Sequence, residues 1–167
     1  MIVLKTKRLI LRQVEPDDAP FVLELLNTTG FIENIGDRGV RTEAEARDYI
    51  AEHVLGSYRI HGFGMWLVVE ASTGVAMGLA GLVKRDGLEI PDVGYAFVPR
   101  AWGQGYAQEA AAAVLKHAQD VMSIPKLAAI TAPGNHASMA VLRKIGFVNR
   151  GMIQLPGHDG NSTYFTT

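Results

Sequence analysis

The sequence predicts an α+β fold in which a mostly antiparallel, mixed sheet is flanked by helices, and three observations predict it. "RLILRQV" (8–14) alternates polar and apolar residues as a half-buried strand does. "GMWLVVE", "VAMGLAGLVK" and "PDVGYAFV" (64–70, 75–84 and 91–98) are β-rich runs in close succession. "GYAQEAAAAVLKHAQDV" (105–121) has high helix propensity. A chain of 167 residues without repeat, linker or low-complexity segment reads as one domain, 1–167.

Each element follows in order. After "RLILRQV", the stretch Pro16-Asp17-Asp18 supplies helix-start chemistry and "APFVLELLN" continues as a short helix. Thr42 and Glu45 fit a capping box that opens a second helix, "EAEARDYIAEHV", with Ala46, Tyr49, Ile50 and Val54 at helical spacing. The turn "ASTG" and the loop "RDGLEI" join the three β-rich runs into an antiparallel meander. The alanine-rich helix carries a small face of Ala107, Ala110, Ala111 and Ala118, which would let it lie close to that sheet. "KLAAITA" (126–132) reads as a buried strand. A helix from about Asn135 to Ile145 ends at Gly146, a left-handed C-cap with Phe147 folding back. "FVNRGMIQL" and "NSTYFTT" form a last hairpin around "PGHDG".

Composition removes several function classes. With 16 Lys+Arg against 17 Asp+Glu the net charge is -1, so no general electrostatic case exists for nucleic acid or an acidic membrane as partner. No cysteine occurs, which excludes disulfides, Cys-ligated zinc, iron–sulfur clusters and a Cys acyl-enzyme. The five histidines show no ligand-pair spacing, so no metal site is expected. No stretch approaches the ~18 apolar residues of a membrane span. The apolar run of "MIVLKTKRLILR" is too short for a signal peptide, and a cytoplasmic protein is the expectation.

The most informative stretch is "PRAWGQGYAQEA" (99–110). A strand running into a helix N-terminus brings unpaired N–H groups and the positive end of the helix dipole to one spot, which attracts anions. Gly103 and Gly105 lack Cβ atoms, so the backbone can take positive φ and approach phosphate oxygens. Arg100 adds a full charge nearby. A tight turn with no ligand is the plain alternative. A dinucleotide fingerprint would need Gly or Ala where Gln108 stands, and nothing matches GxxxxGK[ST].

Arg100-x-x-Gly103-x-Gly105, after a strand and opening a helix, resembles the [Q/R]xxGx[G/A] acetyl-CoA signature of the GNAT superfamily of N-acetyltransferases. "TKRLILRQVEPDDA", "DVGYAFVPRAWGQGYAQEA" and "NHASMAVLRKIGF" are similar, in that order, to segments of its RimJ/RimL-like branch, the relatives of ribosomal-protein N-terminal acetyltransferases. The resemblance implies a GNAT-like sheet in which the strand before the loop splays from its neighbour. It implies that Phe97 and Val98 leave main-chain groups free for the pantetheine arm of acetyl-CoA. It implies that the amides of Gly103, Gln104, Gly105, Tyr106 and Ala107, with Arg100 close, hold the pyrophosphate, and that Asn135 hydrogen-bonds the pantetheine. Read without the family, Asn135 is a helix N-cap and Ser138 a solvated helix residue.

Amine attack on a thioester needs a neutral amine, stabilisation of the developing oxyanion and a proton for the departing thiolate. At pH 7 an α-amino group of pKa ~8 is neutral far more often than a lysine of pKa ~10.4, so it asks less of a base. Asp92, two residues before Gly94-Tyr95, stands where relatives of this branch often carry a glutamate thought to accept the amine proton. Being one methylene shorter, Asp92 suits transfer through water; Glu89 is the second candidate. Either would otherwise be a solvated loop carboxylate. A backbone N–H at Phe97 or Val98 would polarise the carbonyl. Ser138 would protonate sulfur, with Tyr95 and Tyr164 as alternative donors. Without cysteine or a GxSxG elbow, direct transfer in a ternary complex follows.

The acceptor would be a protein N-terminus, a free amino acid or another small amine. Its walls would come from "NTTGFIENIGDRGVRTEAE" and "LPGHDGNSTY", with Glu33, Asp37 and Asp159 as candidate partners of a cationic amine. Trp66 and Trp102 read as core or cleft-wall residues. Competing readings are an acyl-CoA-binding module without catalysis and a nucleotide-binding fold. Monomer and homodimer both stay open.

Overall fold

A computed structural model describes all 167 residues. Eight strands form one sheet in the order β1-β2-β3-β4-β5-β6-β8-β7. They are β1 (Ile2–Lys5), β2 (Leu9–Arg12), β3 (Met65–Glu70), β4 (Ala76–Val83), β5 (Asp92–Phe97), β6 (Ala128–Thr131), β7 (Val148–Ile153) and β8 (Ser162–Thr166). Every pairing is antiparallel except that of β5 with β6. The expected meander is β3–β4–β5, and the last hairpin is β7–β8, with β8 inserted beside β6. The sequence reading missed β1: the start of the chain pairs with β2, and Thr6 Oγ1 accepts from Leu9 N to close the turn.

The helices are α1 (Ala19–Leu26), α2 (Thr29–Asn34), α3 (Glu43–Tyr49), α4 (Gly56–His61), α5 (Tyr106–Asp120) and α6 (His136–Lys144). Thr42 caps α3 by accepting from Glu45 N, while Glu45 reaches back to Arg41 N instead of the cap residue, so half of the expected box forms. Between α3 and α4 the chain winds as a π-helix over Ile50–Leu55, a wide turn that apolar spacing does not reveal. Helix α4 is fastened by Tyr58, whose hydroxyl donates to Met65 O (2.6 Å) and accepts from Val14 N (3.1 Å). The alanine face of α5 is buried at Ala110, Ala111 and Ala118, and α5 lies on β4 and β5. Gly146 (φ 102) ends α6, with Phe147 N donating back to Leu142 O. No helix is long and apolar enough to cross a membrane.

Two features of the sheet position the site. Strands β5 and β6 share one bridge pair, Asp92 with Ala128, after which they separate; β6 gives its length to β8 instead. On the other side β4 needs glycine where it approaches Gly64. A Cβ on Gly81 would lie 2.0 Å from Gly64 O and 2.9 Å from Met65 Cα, both backbone atoms that cannot swing aside. Gly81→Ala is therefore expected to cost about 3 kcal/mol, read as a lower urea midpoint with an unchanged m-value.

Candidate active site

The loop after β5 is built from local backbone rules. A 3-10 turn over Pro99–Ala101 follows Val98, and Gly103 (φ 74) and Gly105 (φ 80) then take left-handed conformations that side chains disfavour. Gly105 stands at the N-cap of α5, so no side chain covers the helix end. The amides of Gly103, Gln104, Gly105, Tyr106 and Ala107 donate to no acceptor in the chain. Successive uncapped donors at the positive end of a 15-residue helix form a cradle for an anion.

The cation that supports this cradle is Arg8, which the sequence reading missed. Its Nη1 donates to Gln104 O (2.8 Å), its Nε pairs with Glu109 (2.7 Å), and its guanidinium lies 4.5 Å from the centre of the Tyr106 ring. Thr6 Oγ1 also donates to Glu109 (2.6 Å). Arg100 is a correction. It pairs with Glu24 on α1 and donates to Ala76 O (3.2 Å), away from the cavity that the loop opens on. The 3-10 turn carries Arg100 toward α1, where a half-exposed carboxylate awaits it.

Val98 is a second correction. Its N–H is consumed by Met77 O (3.0 Å) and cannot serve a ligand. That hydrogen-bonded pair puts the N–H and C=O of Phe97 on the other side of β5, facing the gap toward β6, because antiparallel pairs alternate. The C=O of Phe97 is already taken by Trp102 Nε1 (2.8 Å). Trp102, 56% exposed, is a cleft-wall residue whose ring lies against Gly30 of α2, whereas Trp66 is in the core.

Across the gap, Tyr95 on β5 reaches α6. Its hydroxyl lies 2.8 Å from Ser138 Oγ and 3.1 Å from Ser138 O, and burial pushes its pKa up to about 12, so it stays protonated near neutrality. Asn135 caps α6 by accepting from Ser138 N (3.3 Å) and lines the cavity as well, so the cap and cavity positions coincide. Thr131, near the end of β6, has a buried Oγ1 with no partner and also lines the cavity. Its hydroxyl could not be picked out from an apolar-looking strand.

Asp92 is not a solvated loop carboxylate. It opens β5, is 1% exposed, and both its oxygens lie 3.0 Å from Arg85 Nε. Burial pushes its pKa up to about 6 even against the attraction of Arg85. Glu89 is exposed and outside the cavity.

Phe97, Gly103, Gly105, Asn135, Ser138 and Asp92 all line one cavity of about 930 Å³. One wall is the expected segment around α2, with Phe31, Asn34 and Arg38. The other is not the last hairpin. It comes from the π turn and α4, through Glu52, His53 and His61. No residue of "LPGHDGNSTY" lines the cavity: Leu155 packs with Leu88 and Ala128, Tyr164 lies against that cluster, Pro156 abuts Gly87, and only His158 comes near enough to feel the charges of Arg38 and Arg85. Glu33, Asp37 and Asp159 do not line the cavity, and Asp37 is held by Arg41 (2.6 Å).

The family profile described as "Acetyltransferase (GNAT) domain" matches residues 8–148. YkkB of Bacillus subtilis (strain 168) is 39% identical over 88 residues, an alignment covering 52% of this chain and 51% of YkkB, so the chain spans about half the length of that relative. The N-acetyltransferase YnaD of the same organism is 26% identical over 151 residues, covering 90% of this chain and 85% of YnaD. Among solved structures, RimL, a ribosomal L7/L12 alpha-N-protein acetyltransferase in complex with coenzyme A, superposes with a TM-score of 0.84 at 19% identity, covering 100% of this chain and 97% of its own.

Proposed function

Because this chain belongs to the GNAT acetyltransferase family, we propose that it transfers an acetyl group from acetyl-CoA to a primary amine, by direct attack in a ternary complex. The observation that carries this reading is the cradle of five undonated amides opening onto the same cavity as a buried carboxylate. The three matching sequence segments favour the RimJ/RimL-like branch, and a protein N-terminus, an amino acid or another small amine as acceptor.

The residues fit the coenzyme. An anion-binding helix end, a free Phe97 N–H and the Asn135 carboxamide together suit a diphosphate followed by an amide-bearing arm. When bound, acetyl-CoA supplies the acyl group as a thioester. Asp92 then accepts the amine proton through a water molecule, since its side chain is buried and held by Arg85. Phe97 N–H donates to the carbonyl oxygen as negative charge builds there. The Ser138 hydroxyl, 2.8 Å from that of Tyr95, would give a proton to sulfur as the C–S bond breaks and the N–C bond forms; water would then reprotonate the Ser138–Tyr95 pair while Asp92 releases the amine proton to solvent.

Ser138→Ala is expected to lower kcat by about tenfold only, because the Tyr95 hydroxyl stays in place to act through water. Steady-state thiol release measures it. The broader test is thiol release from acetyl-CoA across a panel of amines, run beside thermal shifts with acetyl-CoA, ATP and NAD. Stabilisation by acetyl-CoA alone and turnover with at least one amine are expected. Stabilisation with no turnover on any amine would leave an acyl-CoA-binding module, and stabilisation by ATP or NAD alone would remove the coenzyme reading.

A further inference from the structure

The cavity carries more cationic than anionic side chains, with Lys84 and Arg85 at the end where Asp92 sits. Arg38, Lys84 and Arg85 line it; the acidic residues that line it are Glu52 and Asp92. Asp92 is committed to Arg85, and the Glu52 side chain is 76% exposed beside His53. Arg38 has no ion-pair or hydrogen-bond partner, since the adjacent Asp37 is taken by Arg41. Lys84 spends a proton on Leu88 O. The cations come from different segments, Arg38 from the loop between α2 and α3 and Arg85 from the loop between β4 and β5. Both line the same cavity, and His158, from the loop between β7 and β8, is held below the usual histidine value by burial and then by the charges of Arg85 and Arg38. That leaves His158 neutral near pH 7, and the cluster's charge on the two arginines and the lysine.

Arg85 divides its donors. Its Nε holds Asp92, while its two Nη groups have no partner in the chain. A guanidinium is a rigid planar fork suited to carboxylates, and Arg38, in the lining of the same cavity, carries a second such fork with no partner of its own. A carboxylate seated on the Nη edge of Arg85 sits beside the group that holds the base. Its own molecule's amine would then come within reach of Asp92, through the relaying water, if the carbons that bear amine and carboxylate are the same or at most two bonds apart. We propose that the acceptor is an amine with a carboxylate close to it, bound by Arg38 and the free edge of Arg85. This rests on the acetyl-transfer reading and names its substrate class. The shared chemistry is found in a free α-amino acid and in a peptide whose first residue is acidic. A polyamine, by contrast, would bring like charge to this end and meet repulsion.

The test uses the full chain and matched acceptors: α-amino acids, their carboxamides, the corresponding decarboxylated amines, amidated peptides beginning with Asp or Glu, and spermidine. Each is assayed by thiol release with the wild type and Arg38→Gln, and an acetyl-CoA thermal shift reports that the variant is folded. In the wild type, kcat/KM for a carboxylate-bearing acceptor is expected to exceed that of its carboxamide by about tenfold or more, and in Arg38→Gln that ratio falls to about twofold. Preference for the free amino acid or for the acidic peptide identifies the source of the carboxylate, and either supports the proposal. Equal use of acid and carboxamide by the wild type, a ratio that survives Arg38→Gln, or a preference for spermidine overturns it while leaving acetyl transfer standing. No turnover with any of these amines overturns the acetyl-transfer reading and the proposal together.

Discussion

Asp92→Asn is expected to lower kcat by about a thousandfold, the middle of the range for losing a positioned base. The isosteric amide keeps the shape of the site but cannot take a proton, and the Nε of Arg85 then faces a neutral group where two carboxylate oxygens lay at 3.0 Å. The pH profile gives a sharper signature. Burial raises the carboxyl from 3.8 to about 6, and a base works only when deprotonated, so wild-type kcat should rise with pH through about 6. That limb should vanish in the variant, whereas any limb near pH ~8 from the amine itself should persist. Stability runs the opposite way. The folded state holds this proton more tightly than the unfolded chain, so the contribution is full below about pH 4 and is lost as pH rises through about 6. Asp92→Asn should therefore show a flatter dependence of melting temperature on pH between 4 and 7. An unchanged kcat profile in the variant would remove Asp92 from the chemistry.

Gly105→Val is expected to weaken acetyl-CoA binding by about a hundredfold or more. At φ 80 a β-branched side chain is strained wherever it points, and its Cβ would also come within 3.4 Å of Arg8 Nη2, the brace of the loop. Relief requires the peptide units to rotate, which turns the amides of Gly105 and Tyr106 away from the cradle. Gly103→Ala separates the two causes, because no atom lies within 4 Å of a Cβ there and strain alone acts, at about 1–2 kcal/mol. Calorimetric titration with acetyl-CoA measures both. Retention of wild-type affinity by Gly105→Val would show that the loop does not hold the coenzyme.

What was legible in the sequence was set by short-range rules. The positive φ of Gly103 and Gly105, the Asn135 cap, the Gly146 stop and the three-stranded meander each depend on neighbours a few residues away. What was not legible depends on which distant charge finds which. Arg100 turned to Glu24, 76 residues away, and Arg8 joined Glu109, 101 residues away, so the arginine beside the loop is not the one a local reading assigns to it. Asp92 looked like a loop acid beside Pro91 because its burial comes from the sheet, not from its flanks. Val98 looked free because strand pairing partners cannot be counted from one strand. The π turn that forms the second wall keeps apolar residues Ile50 and Val54 at ordinary helical spacing, and so leaves no trace in the pattern.

Because β5 and β6 share a single rung, the eight-stranded sheet behaves as two panels, β1 to β5 and β6 to β8, leaning together along one seam. No ladder sets the width of that seam. Buried side chains of one core cluster flank it instead, among them Val93 on β5, Leu127 just before β6 and Leu142 on α6, all 3% exposed or less. The width of the candidate crevice thus follows from how the interior is packed, and resizing one buried methyl group there would change it with no strand ladder to resist.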